Sequence, residues 1–190
     1  MCPVDNDFRT SLNHTVSEVT RLFDEYQFGE AGRELYNFIW NDFCDWYIEI
    51  SKVALNGNDE ELKTRKQENL IWILDQILRL LHPIMPFVTE KVWLSMPHDG
   101  KSIMVAKYPE THKEFENKEA DSQMAFLIEV IKAVRNIRME VNAPMSSPID
   151  IMIQIDDDNN KAVLDNNAEY VENFLHPKAL SVAADIEAPK

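Results

Sequence analysis

The stretch Phe28–Ile50, FGEAGRELYNFIWNDFCDWYIEI, holds six aromatic residues between Tyr36 and Tyr47. Apolar residues recur in it at steps of three and four, the period of a helix with one buried face, at Leu35, Ile39, Phe43, Tyr47 and Ile50. The other aromatics widen this face beyond a single stripe. The stretch therefore predicts a helix that is covered on more than one side, as the central helix of a bundle is.

A row of polar residues follows the same helix at four-residue steps, at Arg33, Asn37, Asn41, Asp45 and Glu49. An ordinary solvated face is mostly Lys and Glu, whereas this row places two amides and an aspartate between bulky aromatics. Amides offer paired donors and acceptors, which suit hydrogen bonds to base edges or to a neighbouring helix. The row is therefore a candidate ligand-binding face, and a solvated or helix-bridging face is the alternative.

The composition favours a helical protein of the cytoplasm. A chain of 190 residues can bury a full core, and its low content of four glycines argues against an all-β fold. Cys2 and Cys44 form neither a disulfide framework nor a metal set, which fits a reducing compartment. We find no signal peptide pattern and no apolar run long enough to cross a bilayer, so we expect no membrane partner.

The net charge of −14 argues against a general nucleic-acid binder, DNA-binding proteins included. The charges are unevenly distributed, however: residues 1–60 carry 12 acids and 4 bases, residues 61–149 carry 12 of each, and residues 150–190 carry 9 acids and 3 bases. Cations are thus concentrated in the middle of the chain. Any nucleic acid bound here would be held at only a few points.

Three more long helices are predicted, over residues 10–26, 60–82 and 121–141, with the first ten residues frayed. Pro83 and Pro86 predict a fixed corner before a short helix over 87–96. Residues 97–121 are predicted to form the connector to the last long helix, with an extended piece at 102–106. In the last long helix we expect Ile137 to extend the buried face. Lys132, Arg135 and Arg138 would form an exposed basic ridge, either phosphate-binding or merely solvated.

The character of the sequence changes after a linker at 141–148. Ile149, Ile151, Ile153 and Ile155 alternate with polar residues and Met152, as in a strand with one apolar face. Helices over 161–165 and 168–175 and a second strand over 179–183 complete a βαβ-like appendage that cannot bury much alone. The predicted fold is mainly α: an antiparallel helical bundle over 1–143, then a small α/β subdomain over 144–190.

No self-contained catalytic site is evident. GxGxxG, P-loop, HExxH and paired CxxC motifs are missing, and the five histidines lack ligand spacing. We therefore predict no catalytic residue, cofactor or metal in this chain. Periodicity and composition alone describe a helical binding module, with the kind of partner left open.

Three segments resemble, in order, the C-terminal region of bacterial valyl-tRNA synthetases. They are LYNFIWNDFCDWYIEISK (Leu35–Lys52), LRLLHPIMPFVTEKVW (Leu78–Trp93) and VRNIRMEVNAP (Val134–Pro144). The middle block is shared with the leucyl and isoleucyl class I enzymes. The WNDFCDWYIE block points to the valyl branch.

The resemblance implies the helical anticodon-binding domain and a linking α/β unit of an enzyme that joins valine to its tRNA using ATP and Mg. The catalytic and editing domains and a C-terminal coiled coil would lie elsewhere in the same polypeptide. The partner would be the anticodon stem-loop of a valine-specific tRNA. A helical protein-interaction module without an RNA role, or the equivalent domain of an isoleucyl- or leucyl-type enzyme, remains as the alternative.

The resemblance also suggests which residues would contact tRNA. Polar groups on the central helix would meet splayed anticodon bases, a tryptophan there would stack if it is exposed, and arginines of the basic ridge would meet phosphate. The candidates are Arg33, Asn37, Trp40, Asn41, Asp45, Trp46, Arg135 and Arg138.

Overall fold

The aromatic stretch forms one continuous helix in the computed structural model, which describes the backbone of residues 3–144 and 146–186 and the side chains of residues 8–144 and 146–186. The helix comprises α2 (Phe28–Asn37), a π-helical segment (Phe38–Tyr47) and α3 (Ile48–Asn56). Four of the five residues of the predicted stripe are buried, at Leu35, Phe43, Tyr47 and Ile50. The prediction of a central helix is therefore confirmed.

The π-helical segment was not predicted, and it affects how side chains line up. Four residues overshoot one turn of an α-helix but fall short of one turn of a π-helix, whose hydrogen bonds close one residue further along. Residues spaced four apart therefore shift in one direction around the helix axis along α2 and in the opposite direction along Phe38–Tyr47. This reversal keeps the polar row on one side of the helix.

Helix α1 (Pro3–Asp24) packs against α2 and the π-helical segment. Its predicted start near residue 10 was wrong, because the helical backbone already runs from Pro3. Leu12, Val16 and Val19 are buried as expected. Tyr26, which was expected on the same stripe, instead lies in the turn after the helix with φ 59° and is 80% exposed.

Helix α4 (Glu60–Leu81) packs on α1 and α3, and the proline corner leads into α5 (Pro86–Trp93). The Trp93 ring is buried beside Leu78 and Ile103, and its Nε1 donates a hydrogen bond of 2.7 Å to Asp75 Oδ1. The prediction of an extended piece at 102–106 was wrong, because Ile103–Val105 form a 3-10 turn.

The rest of the described chain comprises a second 3-10 turn (Lys113–Phe115), α6 (Lys118–Glu140), β1 (Asp150–Gln154), α7 (Asp158–Asn166), α8 (Ala168–Leu175) and β2 (Ala179–Ala183). The strands pair in parallel, with Asp150 opposite Ala179 and Gln154 opposite Ala183. This pairing confirms the predicted βαβ-like appendage. The mainly helical fold class with a small α/β part is confirmed as well.

The chain divides into two compact units, residues 1–118 and 119–190, so that nearly all of α6 groups with the two strands. Each unit is described by itself below. The functional boundary expected between residues 143 and 144 stays a prediction. Within the described residues, no helix combines the length and the apolar character needed to cross a bilayer.

Candidate nucleic-acid interface

The polar row of the central helix lies at the surface. Arg33, Asn37, Asn41 and Asp45 are all exposed, and Glu49 is half-buried. Burial of Asn37, Asn41 and Asp45 against neighbouring helices would have made a ligand-binding role impossible. Their exposure leaves two amides and a carboxylate in reach of a bound molecule.

An exposed aromatic pair borders this row. The rings of Tyr36 and Trp40, which are 61% and 57% exposed, stack with 6.1 Å between their centroids and 17° between their planes. Tyr36 was expected among the buried aromatics, so this exposed pair was not predicted. The four-residue spacing from Tyr36 to Trp40 was the available signal, because it places both rings on one helix face.

Trp46, proposed as the alternative stacking residue, is only 8% exposed. Phe43 and Tyr47 beside it are also buried, and the Tyr47 ring stacks on Phe8 at 4.3 Å between centroids. A side chain in this core offers no face to a nucleotide, so the expectation for Trp46 is corrected. These buried rings instead hold the helix that carries the exposed row.

The central helix is acidic, which limits what it can bind. Residues 28–56 carry five acids and only two bases, Arg33 and Lys52. Arg33 pairs with Glu30, and Lys52 Nζ lies 2.6 Å from Glu49 Oε1. Because both cations already face a carboxylate on the same helix, attraction of phosphate here is weak. Contacts to base edges and ring faces suit this surface better.

The basic cluster at the start of α4 does not supply a phosphate site either. Lys63 Nζ lies 3.6 Å from Glu60 and Arg65 Nη2 lies 3.4 Å from Glu61. Lys66 is buried, with its Nζ 5.3 Å from the centroid of the Tyr47 ring. Its stem and charge therefore belong to the core of the first unit.

Arg138 is buried, with only 2% of its surface exposed, so its expected phosphate contact is corrected. Its guanidinium donates hydrogen bonds to four backbone carbonyl oxygens: Leu175 at 3.0 Å, Pro144 at 2.5 Å, Ser147 at 2.7 Å and Ala143 at 3.5 Å. Ile137 is 57% exposed. We expected Ile137 to be buried and Arg138 to be exposed, and both expectations were wrong. Arg138 thus ties the end of α6, the following linker and the end of α8 together.

Arg135 also contacts its own unit. It is half-buried, its Nη2 donates to the Phe174 carbonyl oxygen at 3.4 Å, and its guanidinium lies 5.1 Å from the centroid of the Phe174 ring. Only Lys132 of the predicted basic ridge is well exposed. The ridge is therefore largely structural, and the phosphate role expected for Arg135 is not supported by its placement.

No group of three His, Cys, Asp or Glu residues among those described could hold a metal ion. Cys44 lies within the π-helical segment, where burial and then the charge of Asp45 raise the pKa of its thiol. A raised pKa keeps the sulfur protonated and poorly nucleophilic at neutral pH.

Comparison with known proteins shows that this chain is similar to one segment of the valine–tRNA ligases of several bacteria. The valine–tRNA ligase of Lactobacillus johnsonii is 99% identical over 179 residues, which are 94% of this chain and 20% of that protein. The valine–tRNA ligase of Lactobacillus acidophilus is 84% identical over the same shares. That of Enterococcus faecalis is 54% identical over 181 residues, 95% of this chain and 21% of that protein.

The chain thus spans about one-fifth of the length of the curated relatives it matches. A family model described as "Anticodon-binding domain of tRNA ligase" matches residues 5–153, well over half of the chain. This match includes the central helix, the polar row and the proline corner. The chain belongs to the family of anticodon-binding domains of tRNA ligases.

Proposed function

We propose that this chain is the tRNA-recognising part of a valine–tRNA ligase and reads the anticodon loop with its central helix. The observation that carries the proposal is the exposed row of Asn37, Asn41 and Asp45 beside the exposed Tyr36–Trp40 pair. Unpaired RNA bases are recognised by stacking on aromatic rings and by hydrogen bonds to their edges. This surface offers both kinds of contact on one helix.

Each exposed group has a distinct role in this proposal. Trp40, supported from one side by Tyr36, stacks on one splayed base. Asn37 and Asn41 donate to and accept from base edges, and Asp45 accepts from an exocyclic amine. Arg33 is the cation at the start of the row, one helical turn before Asn37. Trp46, Arg135 and Arg138 are left out of the contact set because of their burial and their internal contacts.

The whole ligase would attach valine to its tRNA with ATP and Mg²⁺ bound in a catalytic domain outside this chain. The editing domain and coiled coil would also belong to the remaining polypeptide, and the enzyme would work in the cytoplasm. The names and identities of the relatives support the valyl branch over the isoleucyl and leucyl branches.

The test is the substitution Asn41→Ala in the full-length ligase that contains this segment. A lost base contact is worth about 1–3 kcal/mol, so kcat/KM for the cognate tRNA should fall by about 5- to 150-fold. The loss should shrink for a tRNA whose contacted anticodon base is changed. Asn58→Ala, an exposed amide in the turn before α4, is the matched control and should leave kcat/KM unchanged.

Unchanged kcat/KM and unchanged discrimination between the two tRNAs would remove Asn41 from the recognition role. The same result for Trp40→Ala would remove the stacking role as well. The central helix would then serve protein contacts alone, as in the helical interaction module considered from the sequence.

A further inference from the structure

An apolar surface is exposed at the corner between α4 and α5. Ile84 is 41% exposed, Met85 48%, Phe87 90% and Val88 48%. We call these four residues the corner patch. Scattered apolar residues are normal on a surface, but four within five consecutive residues make a continuous patch of the kind that marks an interaction site.

The corner patch is held from inside, so its exposure is a property of the fold. Thr89, which is 1% exposed, donates from Oγ1 to the Met85 carbonyl oxygen at 2.8 Å, and His82 Nδ1 lies 2.8 Å from the same Oγ1. Pro83 and Pro86 fix the backbone on either side of Ile84 and Met85. Ile84 also packs over α2, since a β-carbon built at Gly32 would lie 3.8 Å from Ile84 Cδ1.

The chemistry of the patch selects the kind of partner. No charged residue lies between Pro83 and Val88. The patch has no cation for a phosphate backbone, and a base stacked on the Phe87 ring would find no polar side chain of the patch for its edge. An apolar protein surface needs neither, and a large ring such as that of Phe87 is a typical anchor of such an interface.

We propose that the corner patch docks onto the part of the full-length valine–tRNA ligase that lies outside this chain. In the relatives, this segment makes up only 20% of the protein, so four-fifths of the polypeptide is available to cover the patch. The docking fixes the first unit against the rest of the enzyme. This docking proposal rests on the proposal that the chain is part of a valine–tRNA ligase, but it does not depend on the anticodon contacts. The docking and the anticodon contacts can therefore fail independently.

The test measures maleimide labelling at Phe87→Cys in the full-length ligase, with each peptide quantified by mass spectrometry. Glu61→Cys on α4, where the native side chain is 82% exposed, is the matched control. Phe87 is 90% exposed in this chain by itself, so without a covering surface the two sites should label at similar rates. Docking should slow labelling at position 87 by about tenfold or more relative to position 61.

Val88→Cys repeats the measurement with the Phe87 ring intact, in case the first substitution itself loosens the docking. Slow labelling at both positions at every protein concentration supports the proposal. Rates equal to that at position 61 for both variants overturn it. Protection that disappears on dilution also overturns it, because the covering surface is then a second copy of the protein.

Discussion

Burial decides what each arginine of this chain does. Arg33 is at the surface with its side chain 70% exposed and pairs with Glu30, whereas Arg138 is buried among carbonyl oxygens. The sequence contained a signal for the second case: Met124, Ile131 and Arg138 are seven residues apart and share one helix face. Because charge was weighed above periodicity, the burial of Arg138 was missed.

Arg138→Met should lower the free energy of unfolding by about 3 kcal/mol, because several charge-assisted hydrogen bonds disappear and carbonyl groups are left buried without a donor. Urea unfolding followed by circular dichroism measures this change. Arg65→Met is the control: Arg65 is 59% exposed and only 3.4 Å from Glu61, so the effect should stay within about 0.5 kcal/mol. Equal losses for both variants would mean that the carbonyl contacts contribute little.

Asp45→Asn should lower the pKa of Cys44, since the charge of Asp45 is the second cause, after burial, of its raised pKa. The thiolate fraction at pH 8 then increases, and alkylation of Cys44 by iodoacetamide becomes faster, by less than about tenfold. The rate is measured in a Cys2→Ser background across pH 7 to 10, a range set around the ordinary thiol pKa of about 8.5. A slower rate in Asp45→Asn would show that the carboxylate does not oppose ionisation.

Tyr108 should make the fold sensitive to alkaline pH. Partial burial of Tyr108, which is still 36% exposed, raises its pKa from the ordinary value of 10.0 to about 12. The unfolded chain therefore loses the phenolic proton first, and stability present below pH 10 is lost as the pH rises toward 12. Between pH 9 and 11, the Tm of the Tyr108→Phe variant should fall by less than the Tm of the wild type. Identical losses in the two proteins would rule this contribution out.

At the scale of elements, turn and capping residues account for the end of the central helix and the start of α4. The central helix ends at Asn56 in an Asn-Gly-Asn turn, and the Asp59 side chain accepts hydrogen bonds of 3.0 Å from the backbone of Glu61 and Leu62 at the start of α4. The π-helical segment had no such signal, because hydrophobic periodicity does not distinguish a locally wider turn. The 3-10 turn at Ile103–Val105 was missed because short apolar runs also suit a strand.

Asp59→Ala should lower the free energy of unfolding by about 1 kcal/mol, the typical contribution of an N-cap side chain. Asp59→Asn keeps an acceptor oxygen for the same two backbone amides and should cost only a few tenths of that amount. Thermal or urea unfolding of the two variants separates them. If Asp59→Asn is as unstable as Asp59→Ala, the negative charge at the helix N-terminus matters more than the hydrogen bonds.

At the scale of the whole molecule, fold class followed from periodicity and composition because helix stripes and a strand alternation each have a single structural explanation. The amide row was located because its four-residue spacing places its members on one helix face. Which tryptophan and which arginines reach the surface could not be settled, since that depends on what packs beside each helix. Trp40 and Trp46 differ in exposure although they lie on the same segment.

The net charge of −14 should make tRNA binding by this chain weak but only mildly salt-dependent. Because the central helix, the proposed contact surface, carries only Arg33 and Lys52, and both face a glutamate, one or two phosphates would be neutralised. The logarithm of the binding constant should therefore fall with the logarithm of the salt concentration at a slope of about −1 to −2. The change in tryptophan fluorescence during tRNA titration, to which all four tryptophans contribute, measures this slope. A slope of about −5 or steeper would point to a phosphate-binding surface elsewhere in the molecule.

The looser winding of Phe38–Tyr47 acts as a spacer inside the longest helix. A π-helical segment accommodates an extra residue without turning the helix that follows, because its wider turns rotate each residue by less than the roughly 100° of an α-helix. If the same residues wound as an ordinary α-helix, Ile50, now in the core, would turn toward solvent, while the groups before the segment stayed where they are. The wider turns therefore determine which face the helix presents after Tyr47.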